Sequence, residues 1–197
     1  AERMPAPLTH AQFETPFGSL HVFADDRGVV RASGFGDVHR IAAHLPVDVA
    51  SAGWVDSALP HIEHVVAAWL DGDADAITSV AVEQPGSDFL QDVWRAMSAV
   101  KGGEPITYGE LAIAAGRPGA ARAVGTACAR NAVAPFVPCH RVLSSGYRVG
   151  AYGYGGAPIK AAMLALESGA SPTEIADAGR TATPDTHVSV RTWQQGA

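Results

Sequence analysis

The sequence contains little cysteine, little charge and no long hydrophobic run. Its 197 residues include two cysteines and 17% charged residues, and two cysteines are too few for a disulfide framework or a cysteine-rich zinc module. No apolar run approaches the roughly 20 residues that span a bilayer, and the first residues lack a charged-then-apolar signal pattern. We therefore expect a cytoplasmic protein with no membrane partner, and we expect the natural chain to start at Met4.

Charge is distributed unevenly along a chain that is 47% hydrophobic and therefore globular. Residues 1–84 contain 4 Lys and Arg against 12 Asp and Glu, residues 85–168 contain 8 against 5, and residues 169–197 contain 2 against 3. This predicts an acidic domain at 1–84, a modestly basic domain at 85–168 and a flexible tail at 169–197. A basic patch is enough to hold a phosphate backbone, although random scatter of charge is the alternative.

Alternating and helical apolar patterns predict an α/β first half. The predicted elements are a β-hairpin, two helices and a further strand: 19–24 with 29–35, then 38–45, 59–71 and 78–82. His61 and His64 have a spacing that could bind a metal ion, but two histidines on a surface helix are the commoner case. We therefore predict no metal site here.

The second half changes to short helices. An apolar stripe over residues 89–100 predicts a helix with Ser87 as its N-cap. Thr107 and Glu110 have the spacing of a capping box, which opens a second helix. A tight turn and a third helix ending at Asn131 follow, so the second and third helices together predict a helix-turn-helix.

The third of these helices has one face with almost no side-chain bulk. Ala121, Gly125 and Cys128 share that face, Arg122 stands beside it, and Arg130 lies near the C-terminal end. A helix that reads the major groove displays several Asn, Gln or Arg side chains for base edges, and this helix has few. It therefore suits close, sequence-indifferent contact with DNA, the alternative being an alanine-rich packing helix.

The segment around Cys139 carries the strongest chemical signal. Pro138 fixes the backbone before the cysteine, while His140 and Arg141 follow as positive neighbours that could favour the thiolate. Successive side chains of a strand point to opposite faces. A contact between Cys139 and His140 would therefore need a bridging water or a local bend, which argues against an ordinary cysteine-protease dyad.

This segment resembles the O6-alkylguanine-DNA alkyltransferase family, also called methylated-DNA–protein-cysteine methyltransferases. The resemblance rests on PCHRV at 138–142, on Asn131 and on RAVG at 122–125, and it extends over residues 86–168. TPFG at 15–18 resembles the start of the variable N-terminal domain of that family. The resemblance implies an α+β fold with an N-terminal α/β domain, a ribonuclease-H-like roll, and a C-terminal helical, winged-helix-like DNA-binding domain.

The resemblance also implies a role for each catalytic residue. Cys139 would be the nucleophile that takes the alkyl group from guanine O6, and His140 would act through water as its base. Glu167 would orient and polarise His140. Asn131 would brace the turn that carries the cysteine, and Tyr108 would donate a hydrogen bond to the extruded guanine.

The same resemblance implies which residues hold the substrate. Arg122 would enter the base stack, and the small-faced helix would lie in the minor groove with its remaining DNA contacts at Ala121, Gly125 and Arg130. The guanine pocket would be formed, besides Tyr108, by Val142, Tyr152, Tyr154, Gly155, Gly156 and Lys160.

The implied function is DNA repair by one alkyl transfer per molecule. Flipping the nucleotide out of the duplex costs a few kcal/mol, a thiolate is a suitable nucleophile for an sp3 carbon, and the product thioether does not hydrolyse. The partner would be double-stranded DNA containing O6-alkylguanine, and no cofactor or metal is expected. We expect a monomer, with cooperative assembly on DNA and the preferred size of the alkyl group left open.

Two departures from the family pattern bear on the site. Ala132 stands where the family has proline, which predicts a looser turn before the cysteine. Tyr152 and Tyr154 compete for a single aromatic position. Glu167 also has a competing interpretation, because Lys160 lies seven residues earlier and could pair with it on a helix surface.

Other interpretations stay open at this stage. Tyr108 at a helix start fits a half-buried anchor, Arg122 fits a surface salt bridge, and Cys128 fits an unreactive small residue. The protein could instead be a non-catalytic binder of alkylguanine DNA, or a cysteine hydrolase that uses Cys139 with a distant histidine such as His187.

Overall fold

The first third of the chain forms a four-stranded sheet in an α+β fold. The computed structural model describes residues 4–189. The sheet has the order β3-β2-β1-β4, with antiparallel pairs except between β1 and β4, which run parallel. Its strands are β1 (Leu8–Thr15), β2 (Gly18–Ala24), β3 (Val30–Phe35) and β4 (Trp54–Asp56).

The predicted hairpin is present as β2 and β3, with Leu20 opposite Phe35. Every residue from 20 to 24 is buried, so β2 is covered on both faces rather than half-buried as its alternation suggested. Strand β1 was not predicted, because the polar residues His10 and Gln12 interrupt its apolar pattern. His10 is nevertheless 8% exposed, since its ring nitrogens contact Asp56 and His21.

Three helices follow the hairpin: α1 (Val38–Ala42), α2 (Val47–Ala50) and α3 (Pro60–Leu70). The predicted helix at 59–71 is thus confirmed as α3, which buries Ile62, Val66 and Trp69. The predicted strand at 78–82 is wrong. Ala76–Ser79 is a 3-10 turn, so the segment reaches the edge strand β3 only at Val82, which forms an isolated bridge with Val30.

The second half contains the expected short helices: α4 (Asp88–Ser98), α5 (Tyr108–Ala114), α6 (Ala121–Ala129), α7 (Gly156–Glu167) and α8 (Pro172–Thr181). The N-cap at Ser87 and the capping box of Thr107 and Glu110 are both confirmed. Helices α5 and α6 contact each other as a helix-turn-helix. A two-stranded parallel sheet of β5 (Ile106–Thr107) and β6 (Val142–Leu143) completes this half. No helix within residues 4–189 has the length and apolarity needed to cross a membrane.

The predicted flexible tail needs a correction, because helix α8 lies inside it. Ser171 and Glu174 form a capping box and Pro172 occupies the first turn, and α8 contacts α7 along its length. The capping box and the proline are visible in the sequence and indicate a helix start. The prediction of a flexible tail instead followed the many small and polar residues of this segment. The remainder, residues 190–197, lies outside the described residues. The boundary between 84 and 85 stays a prediction.

The two halves share one apolar core, which contains buried residues from Leu8 to Met163. At Gly34 of β3, a β-carbon would overlap the ring of Tyr154 and approach Ile41 to 2.9 Å. Gly34 has no positive backbone angle, so the requirement for glycine here is a requirement for space. Tyr154, from the second half of the chain, therefore packs directly against strand β3 of the first half.

We expect Gly34→Ala to lower the free energy of unfolding by about 2 kcal/mol, because overpacking forces buried neighbours off their rotamers. Gly153→Ala is the matched control, since the added β-carbon would meet nothing within 4 Å. Urea unfolding of both variants measures the difference. Equal stability of the two variants would contradict the close contact between β3 and Tyr154.

Candidate active site

Cys139 lies in a tight turn rather than in a strand. Cys139–Arg141 form one 3-10 turn after Pro138, and β6 begins only at Val142. The local bend that the sequence analysis required is therefore present. Cys139 is 6% exposed, and His140 is fully buried.

The charges around the thiol differ from the prediction in one respect. Burial raises the pKa of Cys139, while a hydrogen bond with Asn131 and the charge of Lys160 oppose that rise. Arg141 was expected to be a positive neighbour of the thiol, but its guanidinium pairs with Glu167 instead. Lys160 is the cation that acts on the sulfur, and burial lowers its own pKa to about 8. At neutral pH the sulfur is a thiol that needs a base.

His140 has one ring nitrogen engaged and the other free. The His140 Nε2 lies 2.8 Å from Glu167 Oε1. Because an ionised carboxylate only accepts, Nε2 carries the hydrogen and the neutral ring has its lone pair on Nδ1. His140 Nδ1 is buried without a hydrogen-bond partner among the described residues, and burial lowers the His140 pKa. The imidazole is therefore neutral and can accept a proton at Nδ1.

Glu167 is a buried carboxylate surrounded by donors. Arg141 Nη2 donates to Oε2 at 2.6 Å and Arg141 Nε to Oε1 at 3.0 Å, and Trp69 Nε1 donates to Oε2 at 3.0 Å. Burial favours the protonated form, but His140 and Arg141 outweigh it and lower the pKa of Glu167 to about 2. The alternative pairing with Lys160 is wrong, because the Lys160 ammonium donates to the carbonyls of Val142 and Ala151.

Asn131 closes the loop that leads to the cysteine. Its Nδ2 donates to the carbonyl of Val137 at 2.7 Å, and its Oδ1 accepts from Gln84 Nε2 at 3.0 Å. Gln84 Oε1 in turn accepts from the amide of Ala132 at 2.9 Å. Proline has no amide hydrogen to donate, so Ala132 gains a hydrogen bond that the family proline could not make. The turn is held rather than loosened.

The two tyrosines of the glycine-rich loop have different surroundings. The Tyr154 hydroxyl donates to the carbonyl of Asn131, whereas the Tyr152 hydroxyl is buried without a partner in the described part of the chain. Both are 8% exposed. Gly155 and Gly156 follow with positive φ at the start of α7. A β-carbon on Gly155 would lie 2.6 Å from Ile159.

Tyr108 is the first residue of α5 and is half-buried. Burial, with added repulsion from the two cysteines, raises the pKa of Tyr108 to about 12. Its hydroxyl therefore remains protonated over the physiological range and can act as a donor. Burial also raises the pKa of Cys128, which agrees with the interpretation of that residue as an unreactive thiol.

Helix α6 has a buried face and an open face. Val124 and Ala127 are completely buried, whereas a β-carbon on Gly125 would meet nothing within 4 Å. Within residues 4–189, the nearby salt bridges join other arginines to Asp92 and leave Arg122 unpaired and exposed. Two alternatives are therefore excluded. Arg122 forms no salt bridge with the described residues, and α6 is not packed on all sides. Ala121 and Cys128 are partly exposed and Arg130 is exposed.

Comparisons with known proteins identify the family. Residues 88–169 match the DNA-binding domain of 6-O-methylguanine DNA methyltransferases. A methylated-DNA–protein-cysteine methyltransferase of Methanosarcina acetivorans is 31% identical over 162 residues, which are 81% of this chain and 98% of that protein. The chain belongs to the methylated-DNA–protein-cysteine methyltransferase family.

Two further members of this family show how similar the chain is to known proteins in sequence and in structure. The Mycobacterium bovis methyltransferase is 44% identical over 96 residues, 49% of this chain. The chain spans 58% of the length of that relative. The crystal structure of Mycobacterium tuberculosis OGT in complex with DNA superposes with a TM-score of 0.69 at 30% identity, covering 86% of this chain and 99% of the other.

The structure brings together Cys139, His140 and Glu167, as the sequence analysis expected of a methyltransferase. It also shows two contributors that no sequence pattern predicts, Trp69 and Gln84. Both lie outside the matched domain at 88–169 and reach their partners across 98 and 47 positions of the sequence. No local pattern marks such residues, because their partners are chosen by tertiary packing.

Acid should destabilise this protein through Glu167. Its proton is bound near pH 4.5 in the unfolded chain and only near pH 2 in the folded chain. Between these values the unfolded state binds more protons, so the stability present above pH 4.5 is lost as the pH falls towards 2.

Glu167→Gln should flatten that loss, and at neutral pH it should destabilise the fold by about 3 to 5 kcal/mol because Arg141 loses its buried counterion and keeps only the exposed Asp75 carboxylate at 3.6 Å. Denaturant unfolding of both proteins at several pH values provides the measurement. Parallel pH profiles would contradict the assignment of this loss to Glu167.

Proposed function

We propose that this protein repairs DNA by transferring one alkyl group from O6 of guanine in a duplex to the sulfur of Cys139. The observation that supports this proposal most strongly is the buried group of thiol, imidazole and carboxylate. In it His140 Nδ1 is free to accept a proton, while His140 Nε2 is hydrogen-bonded to Glu167. Double-stranded DNA with O6-alkylguanine is the proposed partner and substrate, the protein acting as a monomer without a cofactor.

The proposed reaction is a displacement at the alkyl carbon. His140 Nδ1, acting through a water, takes the proton of the Cys139 thiol, and Glu167 stabilises the imidazolium that forms. The sulfur forms a bond to the alkyl carbon as the bond from that carbon to guanine O6 breaks. The bonding electrons pass to the guanine, where a hydroxyl such as that of Tyr108 stabilises the developing charge. Because the thioether does not hydrolyse, each molecule reacts once.

The proposed guanine pocket lies beside the cysteine and is lined by Tyr108, Val142, Tyr152, Tyr154, Gly155 and Gly156. Tyr152 is the better candidate to face the base, because its hydroxyl lacks a partner in the described residues whereas that of Tyr154 is used by Asn131. Lys160 is 1% exposed and bonded to two carbonyls. We therefore assign it to holding the pocket loop and to the charge near the sulfur rather than to a direct contact with the base.

The open face of α6 is the proposed DNA-binding surface. The absence of bulk at Ala121 and Gly125 lets the helix backbone approach a groove closely, while exposed Arg122 and Arg130 supply positive charge. Arg122 would fill the space left by the extruded nucleotide.

Cys128 and Cys139 are free thiols, so we place the protein in the reducing cytoplasm.

Incubation with a duplex containing one O6-methylguanine should increase the intact mass of the protein by one methyl group. Cys139→Ser should show no increase yet still bind the duplex, and an unmethylated duplex is the substrate control. Binding with unchanged mass would instead indicate a non-catalytic reader. Repeated turnover of an ester without a modified Cys139 would indicate a hydrolase.

Arg122→Ala should slow methyl transfer from duplex DNA by about tenfold or more. Flipping the nucleotide out of the duplex costs a few kcal/mol, and the Arg122 side chain offsets part of this cost by occupying the space in the base stack. Transfer from free O6-alkylguanine base should be unchanged, because no nucleotide has to be extruded. Arg95→Ala removes the same charge at an exposed position of α4 and serves as the matched control. If both variants repaired the duplex at the same rate, the extrusion role of Arg122 would be wrong.

A further inference from the structure

The catalytic carboxylate receives a hydrogen bond from the opposite half of the chain. Trp69 Nε1 donates to Glu167 Oε2 at 3.0 Å, and Trp69 lies at the end of α3, in the first half. Its side chain is completely buried. An indole has one donor and no acceptor, so this N–H has a single use in the structure.

The indole is held rigidly. Its ring lies 5.4 Å from the ring of Phe17 and 6.4 Å from the ring of His140, measured between centroids. These two ring contacts, together with complete burial of the side chain, restrict the direction of the N–H. The Trp69 N–H is therefore a donor of fixed position that orients the Glu167 carboxylate.

Arg141 holds both oxygens of that carboxylate from one side, because Nη2 donates to Oε2 at 2.6 Å and Nε donates to Oε1 at 3.0 Å. Its Nε lies 3.0 Å from Oε1 and 3.2 Å from Oε2 of Glu167, so a single N–H is shared between both oxygens. Trp69 adds a second donor to Oε2, beside Arg141 Nη2. With Oε2 occupied by these two donors, Oε1 is the oxygen that faces His140 Nε2.

We propose that Trp69 is a positioning residue for alkyl transfer: its indole N–H holds Glu167 so that the carboxylate fixes the tautomer and ring orientation of His140. This inference rests on the proposed function. The first half of the chain thereby supplies part of the proton relay without touching the substrate. Without the indole donor, the carboxylate is held by Arg141 alone, its orientation is less restricted and the imidazolium is less stabilised. Deprotonation of Cys139 then depends more on hydroxide, and the rate profile moves to higher pH.

The test compares Trp69→Phe with Trp69→Tyr in the full chain. The two variants remove the same part of the indole and differ by one hydroxyl, which can donate a hydrogen bond. Phe17→Leu is a packing control, because it loosens the contact with the indole ring and leaves the N–H in place. Each protein is measured for methyl transfer from O6-methylguanine duplex by intact mass, from pH 6 to 9, and for urea unfolding.

We expect Trp69→Phe to slow transfer by about tenfold, less than the roughly 100-fold or more supplied by a general base itself, and to move the profile to higher pH. Trp69→Tyr should recover most of the rate and the wild-type profile. Phe17→Leu should lower stability and keep the profile. Equal rates and profiles for the Phe and Tyr variants, or a profile shift in Phe17→Leu that matches Trp69→Phe, would overturn the proposal.

Two further measurements separate this inference from the proposed function. Alkylation of Cys139 by iodoacetamide as a function of pH reports thiol ionisation without DNA, so it shows the Trp69 effect even if the wild-type protein transfers no methyl group. For the case that the Trp69 variants do not fold, wild-type protein labelled with 15N-tryptophan is used. The Trp69 indole proton should be deshielded and exchange slowly, and a resonance at the position of a free indole would overturn the proposal.

Discussion

The buried carboxylate of Glu167 is the constraint on which the rest of the site depends. An ionised group without solvent is tolerated only when donors surround it. Here the donors come from two separate segments, Trp69 in α3 and His140 with Arg141 in the turn before β6, and the acceptor lies at the end of a third segment, α7. Satisfying one charge therefore fixes the relative positions of α3, the cysteine turn and α7.

The same logic explains the loop before the cysteine. Asn131 and Gln84 are buried side chains that satisfy each other and the backbone of residues 132–137. A polar network of this kind is stabilising only when every member is paired. The amide of Ala132 is one such member, so a chain that lacks the family proline keeps an ordered turn by another means.

Helix α6 shows how one element serves both stability and contact with a partner. Its buried face, with Val124 and Ala127, joins the core, while a β-carbon on Gly125 would meet no atom of residues 4–189 within 4 Å. Gly125 weakens the helix on its own, whereas the alanines favour it. Packing against the core compensates for this, and a smooth surface is left for close approach.

Local patterns were sufficient for several elements and for the chemistry of the cysteine segment. Capping boxes and apolar spacing depend on residues a few positions apart, so the β2–β3 hairpin, α3, α4 and the helix-turn-helix could be predicted. The same patterns failed where a partner was needed. Residues 78–82 alternate but start in a 3-10 turn and reach β3 only through the bridge of Val82 with Val30, and β1 contains His10 at a position that contacts with Asp56 and His21 make acceptable.

By itself the sequence determined the order of the helices, the candidate nucleophile and the family to which the chain is similar, because these follow from neighbouring residues. Only the tertiary structure decided that Arg141 serves Glu167 rather than the thiol, that Lys160 is the charge acting on Cys139, and that Trp69 and Gln84 take part in the site. Electrostatic and hydrogen-bond partners are set by distance in space. Residues 98 positions apart become neighbours only when a shared core brings them together.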